Sequence, residues 1–376
     1  MDNLKQLRDR LDEIDRQIAG LYEKRMEICH EVGEIKSKIK KPVYDKIREF
    51  EKLHQVKELM KNENYKLGVE ELYSQLLTQS RKLQYQIMVQ EGNGYDTGYS
   101  MTETFHIGDK KVVFQGIIGA YSEAAALGFF GNEVKKFHVD TFKEAILAVQ
   151  NKEAIFGVLP IENSSAGTVL DVYDLLSEYE ISIVGEIVIP ISHMLCGIDG
   201  ATVDDIQRVY SHPQAIMQCS DYLEKHAYME AIGVANTAVA AREVNEAKDS
   251  KRAAICSEEA AKLYCLSILE REINMSKENE TRFVILSNQR LYRKDASKLS
   301  ICFELTHEPG SLYRVLSHVI FNGLNMTKIE SRPVKNKPWE YKFFLDFEGN
   351  LSDGEVQNAL LGIKEESIHL KILGNY

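Results

Sequence analysis

Apolar residues recur in alternating steps of three and four through the first forty positions of the chain: Leu4, Leu7, Leu11, Ile14, Ile18, Leu21, Ile28, Val32, Ile35 and Ile39. That rhythm predicts one helix over 4–40, on the order of 50 Å long, with a seam packed on other helices. The missing place in the rhythm is Arg25. A guanidinium on a buried seam costs several kcal/mol in order of magnitude unless an anion meets it, either a carboxylate of the protein or a bound ligand. Lys36 lies eleven residues on, about three turns, and so nearly above Arg25 on the same face. Pro42 breaks the pattern, after which Asp45, Arg48 and Glu49 follow at helical spacing. A third stretch carries Ser80 and Gln84 one turn apart. A helix this long cannot bury its seam within ninety residues, so the pattern predicts an intertwined helical dimer.

A polar, glycine-bearing linker follows at 91–100. From 110 to 288 short apolar runs alternate with helical stretches. Strands are expected at 111–116, 155–161 and 181–189, and helices at 141–150 and 169–179. Around His193 a second alternating set begins, with strands at 194–198, 209–211, 230–235 and 253–256. The alternation predicts parallel sheet covered on both faces, in two α/β lobes with a cleft between them. From about 298 the order is strand, helix, strand, strand, helix, strand, which is ferredoxin-like. The resulting fold class is multidomain: an all-α segment at 1–90, a linker at 91–109, a two-lobed α/β segment at 110–290 and an α+β tail at 297–376.

Composition narrows the partners. A net charge of −11 argues against nucleic acid and sets off any local cluster of cations. No apolar run approaches the ~20 residues of a membrane span. Six cysteines without paired spacing, and no signal peptide, fit a reducing cytosol, so a cytoplasmic location is expected. Four loops open onto helices with small polar residues: 116–122, 160–168, 210–215 and 236–238. Each alone reads as an N-cap or Asx turn; together in one segment they point to an anion-binding cleft. His212, before Pro213, reads as a loop histidine. There is no Ser/His/Asp set, metal-ligand cluster or dinucleotide fingerprint, so no cofactor and no metal is expected.

These residues, taken in order, resemble the bifunctional chorismate mutase–prephenate dehydratase family from end to end. Its mutase pattern is matched at Arg8, Arg25, Lys36, Asp45, Arg48, Glu49, Ser80 and Gln84. Its dehydratase motifs are matched by Gly-Ala-Tyr-Ser at 119–122, Pro-Ile-Glu-Asn-Ser at 160–164, Ser-His-Pro-Gln at 211–214 and Thr-Arg-Phe at 281–283. The tail resembles an ACT regulatory domain through Gly310, Ser311 and Leu312 and through Glu330, Ser331, Arg332 and Pro333. Ile118 stands where the family usually has Pro, and Ser311 where it commonly has Ala.

The resemblance implies that chorismate, prephenate and inhibitory phenylalanine are the small-molecule partners, and that the middle segment has a periplasmic-binding-protein-like form. It further implies that Arg8 and Arg25 clamp carboxylates, Lys36 and Gln84 donate to the ether oxygen, and Asp45 and Glu49 hold the ring hydroxyl, with Arg48 and Ser80 in support. Arg8 and Arg25 are seventeen residues apart, about 25 Å along one helix, so Arg8 would come from a partner chain in a homodimer or higher homo-oligomer. In the middle segment Thr281 is the expected proton donor. Asn163, Ser211 and Gln214 are expected to orient substrate, Glu162 to hold its loop and Thr237 to assist. A two-lobed amino-acid sensor without catalysis is the rival reading; Lys36, Gln84 and Thr281 argue against it, since binding alone does not need them.

Overall fold

The computed structural model describes residues 2–105, 108–334, 337 and 339–376. The chain divides into two compact units, one of Met1–Gly98 with Ser297–Ile372, the other of Tyr99–Ala296 with Leu373–Tyr376. The first unit opens with three helices: α1 (Asp2–Lys38), α2 (Lys46–Glu58) and α3 (Lys66–Gln90). The chain leaves α1 through a left-handed Lys40, and Asp45 caps α2 by accepting from the Arg48 backbone N–H at 3.1 Å. Gly33 lets α1 approach α3 closely, since a Cβ there would sit 2.7 Å from Ile87 Cδ1. The seam that the rhythm marks for burial is not covered within one chain. All ten of its apolar residues are between 38% and 66% exposed.

The second unit runs β1 (Ser100–Thr102), β2 (Val112–Gln115), α4 (Tyr121–Phe130), β3 (Lys136–Val139), α5 (Phe142–Gln150), β4 (Phe156–Asn163), β5 (Gly167–Thr168), α6 (Leu170–Glu178) and β6 (Ser182–Pro190). It continues with β7 (Met194–Gly197), β8 (Arg208–Ser211), α7 (Pro213–Gln218), α8 (Ser220–Lys225), β9 (Glu230–Gly233) and α9 (Thr237–Ala247). It closes with β10 (Arg252–Cys256), α10 (Glu258–Leu263), β11 (Ser267–Glu270), β12 (Glu280–Ser287) and β13 (Leu291–Arg293). One sheet has the order β6-β12-β4-β2-β3, the other β11-β7-β10-β8-β9. The expected parallel sheet is corrected to a mixed one. β2 is parallel to β3 and β4, but β12 enters between β4 and β6 antiparallel to both, and β7 is antiparallel to β10 and β11. The first sheet buries Val112, Phe114, Phe156, Val158, Phe283 and Ile285 against α4, and the second packs the alanine face of α9 on Ala254 and Cys256.

The tail supplies β14 (Lys298–Glu304), α11 (Ser311–Phe321), β15 (Met326–Pro333), β16 (Tyr341–Glu348), α12 (Gly354–Glu366) and β17 (His369–Asn375). Its strands lie in the order β15-β16-β14-β17. Gly362 admits His318 of α11 against α12, because any Cβ there would collide with the imidazole ring. Among the described residues no helix is long and apolar enough to cross a membrane.

Candidate functional site

Two clusters of polar side chains stand out, one in each unit. In the first, Arg25 on α1 is half-buried and faces α3, donating to the Leu76 carbonyl at 3.1 Å and to the Ser80 hydroxyl. Among the described residues no carboxylate pairs with it. Gln84, one turn beyond Ser80, is buried, and its Oε1 has no hydrogen-bond partner. Lys36 donates to the Val43 carbonyl at 2.6 Å. Burial lowers the pKa of its ammonium, against the opposing pull of Glu365, Asp45 and Glu49. Lys36, Asp45 and Glu49 therefore share one neighbourhood, and Arg25, Ser80 and Gln84 line the facing α1 and α3 surfaces. Arg48 and Arg8 are exposed, and Arg8 lies near the start of α1, away from the cluster.

The expectation for Glu49 meets a competing partner. Glu49 forms an ion pair with Arg81, a guanidinium only 4% exposed that also reaches Glu366 at 3.1 Å, Thr78 Oγ1 at 3.1 Å and the face of Tyr44. Burial holds the Glu49 carboxyl above the usual range despite Arg81. Glu366 is also buried, but His318, Arg81 and Arg314 together keep it below that range. Sequence reasoning missed Arg81, Tyr85, Glu365 and Glu366. Arg81 is adjacent to Ser80 and so points to another face of α3, and the two glutamates arrive from α12.

In the second unit a cavity of about 520 Å³ opens between the two sheets. Antiparallel pairing of β12 with β4 sets Thr281 opposite Asn163. Asn163 Nδ2 donates to Thr281 Oγ1 at 3.0 Å, and its Oδ1 accepts from the backbone N–H groups of Ser165 and Ala166 at 3.1 and 2.9 Å. Gln218 Nε2 donates to Asn163 Oδ1 at 3.3 Å and Gln218 Oε1 lies 2.9 Å from His193 Nε2. Burial lowers the His193 pKa, so the ring is neutral near pH 7, and these partners place its proton on Nε2, with Nδ1 3.5 Å from the Tyr121 hydroxyl. A chain of polar groups thus runs from Tyr121 through His193, Gln218 and Asn163 to Thr281.

From the second sheet, Gln214 and His212 reach the cavity at the start of α7, and Thr237 at the start of α9. His212 caps α7, its Nδ1 accepting from the Gln214 N–H at 3.2 Å. The expectation that Ser211 touches substrate is corrected. Ser211 is fully buried and donates to the Ile255 carbonyl at 2.7 Å, behind the cavity wall, because its position on β8 turns it toward β10. Glu162 does not line the cavity; Arg282 holds it at 2.7 Å and Glu186 at 3.2 Å, which fixes β4 to β12 and β6. His193 and Gln218 were not singled out as site residues from the sequence, where each sits alone with no spacing signal, and Tyr121 was quoted only as part of the Gly-Ala-Tyr-Ser motif, with no role.

In the tail, Gly310 is left-handed at the start of α11, and Ser311 lines a cavity of about 370 Å³ with Leu305, His307, Glu308, Trp339 and Tyr341. Leu312 is half-buried on α11. Glu330, Ser331, Arg332 and Pro333 lie on β15, with Ser331 opposite Phe343 and Pro333 opposite Tyr341, and are not among the residues that line that cavity.

Residues 7–85 match the type II chorismate mutase family and residues 112–291 the prephenate dehydratase family. A bifunctional chorismate mutase/prephenate dehydratase of Aquifex aeolicus (strain VF5) is 35% identical over 382 residues, covering all of this chain and 98% of that one. The protein of the same description in Escherichia coli (strain K12) is 31% identical over 375 residues, covering 98% and 95%. Among solved structures, the prephenate dehydratase of Arthrobacter aurescens in complex with L-Phe aligns with a TM-score of 0.66 at 28% identity, covering 71% of this chain and 89% of that one.

Proposed function

The chain belongs to the bifunctional chorismate mutase/prephenate dehydratase family, and from that premise we propose where on it each reaction takes place. It is an enzyme of phenylalanine biosynthesis that rearranges chorismate to prephenate and then converts prephenate to phenylpyruvate. The rearrangement is pericyclic and needs no nucleophile. The protein must hold a compact conformer of a dicarboxylate and stabilise charge on the breaking ether oxygen. The α1–α3 cluster suits this. Arg25 meets only neutral oxygens and a thiol among the described residues, which leaves its charge for a substrate carboxylate. Arg8 of a second copy grips the other carboxylate, and the open apolar seam of α1 supports that pairing. Lys36 and Gln84 donate to the ether oxygen. Asp45, with Glu49 once it turns from Arg81, receives the ring hydroxyl, while Arg48 and Ser80 support the pocket.

Prephenate loses water and carbon dioxide together, and aromatisation drives the step. We assign it to the 520 Å³ cavity. Thr281 already accepts from Asn163, so its own proton is available for the departing hydroxyl. Gln214 and Thr237 face it from the second sheet, and Glu162 anchors the wall through Arg282. Phenylalanine binds the tail around Gly310, Ser311 and Leu312, with Glu330, Ser331, Arg332 and Pro333 nearby on β15 or against a second copy, and lowers dehydratase activity by favouring one of two conformations.

The observation that carries this reading is the Asn163–Thr281 pair at the wall of a cavity, in a chain that also carries Arg25 free of carboxylates. Incubation with chorismate should yield prephenate and then phenylpyruvate, and added phenylalanine should slow the second step and raise the thermal midpoint. Binding of chorismate without turnover would support the sensor instead.

A further inference from the structure

The segment joining α1 to α2 is held by a side chain from the far end of the chain. Glu365, in the last turn of α12, accepts from the Val43 backbone N–H at 3.0 Å through Oε1 and from the Tyr44 N–H through Oε2. Its Oε2 also accepts from the Tyr85 hydroxyl at 2.7 Å, and Tyr85 is the neighbour of Gln84 on α3. One carboxylate thus ties together two backbone groups and a fully buried phenol. The peptide it grips adjoins two residues assigned above to the mutase site. The Val43 carbonyl is the acceptor for Lys36 Nζ, and Tyr44 immediately precedes Asp45, the cap of α2. The next residue, Glu366, is locked by Arg81 at 3.1 Å and Arg314 at 3.1 Å, so α12 cannot slide without breaking buried ion pairs.

We propose that Glu365 is a positioning residue for the chorismate rearrangement, so that the helical site of this chain is completed by its tail. The inference rests on the mutase assignment above. Glu365 acts through two routes. It fixes the 43–45 segment, and with it the placement of Lys36 and Asp45; a misplacement of about 1 Å in a site that works by holding its substrate can cost on the order of a hundredfold in rate. It also supplies negative charge beside Lys36. The charged groups acting on that ammonium are Glu365 from α12, Asp45 at the cap of α2, Glu49 on α2, and Lys41 from the loop. Burial pulls the Lys36 pKa down, and Glu365 opposes that pull, favouring the ammonium form.

The test uses the full-length chain with Glu365→Ala and Glu365→Gln, measuring rearrangement of chorismate and, separately, turnover of added prephenate. The expected result is a mutase kcat/KM about tenfold or more lower in the alanine variant, mainly in kcat. Prephenate turnover should stay within about twofold of the parent. The glutamine variant keeps an acceptor oxygen and loses the charge. It should retain more activity than alanine, while the alkaline limb of its mutase pH profile moves down by about half a unit or more. A passive packing role would not move that limb. If the alanine variant does not fold, the glutamine variant decides alone. Mutase activity within twofold of the parent, an unmoved alkaline limb, or equal loss of both activities each overturns the proposal. Absence of mutase activity in the parent protein would sink the underlying assignment instead.

Discussion

A threonine hydroxyl is far too weak an acid to release a proton unaided near pH 7, so Thr281 depends on what surrounds it. Its oxygen is engaged by Asn163, and Asn163 is itself fixed by Gln218 and by two backbone N–H groups of the following turn. The oxygen is therefore held at the cavity wall, and its own proton is not used in that bond. Thr281→Ala should lower prephenate turnover by about 10²–10⁴-fold, the usual contribution of a positioned proton donor. Thr281→Ser should recover much of it, and mutase activity should stay within about twofold in both. Parallel loss of both activities would refute the role. Arg81 offers a second test at this scale. It is the shared partner of two buried carboxylates, so Arg81→Met should destabilise the first unit by about 3–5 kcal/mol, read from urea unfolding. The pH dependence has a definite sign. In the parent, Glu366 is held below its ordinary 4.5 and stabilises above that pH, losing the contribution as pH falls. Glu49 is held above 4.5 and stabilises below that pH, losing the contribution as pH rises. Removing the guanidinium moves both carboxyls upward, so the deficit of the variant relative to the parent should narrow from pH 7 to pH 5. A deficit independent of pH would mean that lost packing, not unpaired charge, is the cause.

Elements were legible where periodicity is strong and partners are local. The helix over 4–40 is found as α1 at Asp2–Lys38, and the strand expected at 253–256 lies within β10 at Arg252–Cys256. Thr141 and Glu144 form the capping box that opens α5. What escaped the sequence is long-range. Nothing in the alternation of strands and helices tells that β12, last of its series, inserts antiparallel between β4 and β6, yet that insertion is what brings Thr281 opposite Asn163. Ser211 and His212 show the period-two limit: neighbours on one segment end behind the wall and at the cavity. The glutamates of α12 read as ordinary last-turn residues, because a charge that crosses to another element leaves no periodic trace. For α1 itself the rhythm was right about the helix, and the exposed seam is the ground for the proposed pairing with a second copy. The proposed site, with Arg8 from one copy and Lys36 from the other, can be tested by mixing. Arg8→Ala and Lys36→Ala should each abolish mutase activity. An equimolar mixture, unfolded and refolded together, should regain about a quarter of the parental activity, because half of randomly re-paired dimers are mixed and each holds one intact site. No recovery would count against sharing.

At the scale of the whole molecule the proposed sites differ in what they require. The cavity around Thr281 takes its walls from residues of one chain, Gln115 and Asn163 from one sheet and Gln214 and Thr237 from the other side. Of the two arginines proposed to clamp the carboxylates, the helical cluster holds Arg25 and leaves Arg8 exposed near the start of a helix of roughly 55 Å. Dilution should therefore separate them. Mutase activity per chain should fall as dimers dissociate, while turnover of added prephenate per chain should stay level. Where association is too tight for dilution to reach, Ile18→Glu gives the same contrast. Ile18 is 53% exposed in the single chain, so the carboxylate costs the lone chain little, but in a paired seam it is a desolvated charge of several kcal/mol in order of magnitude. The variant should be monomeric by light scattering, inactive on chorismate and active on prephenate. A monomeric variant that still rearranges chorismate would show that Arg25, Lys36 and Gln84 suffice within one chain, and the open seam would then need a different explanation.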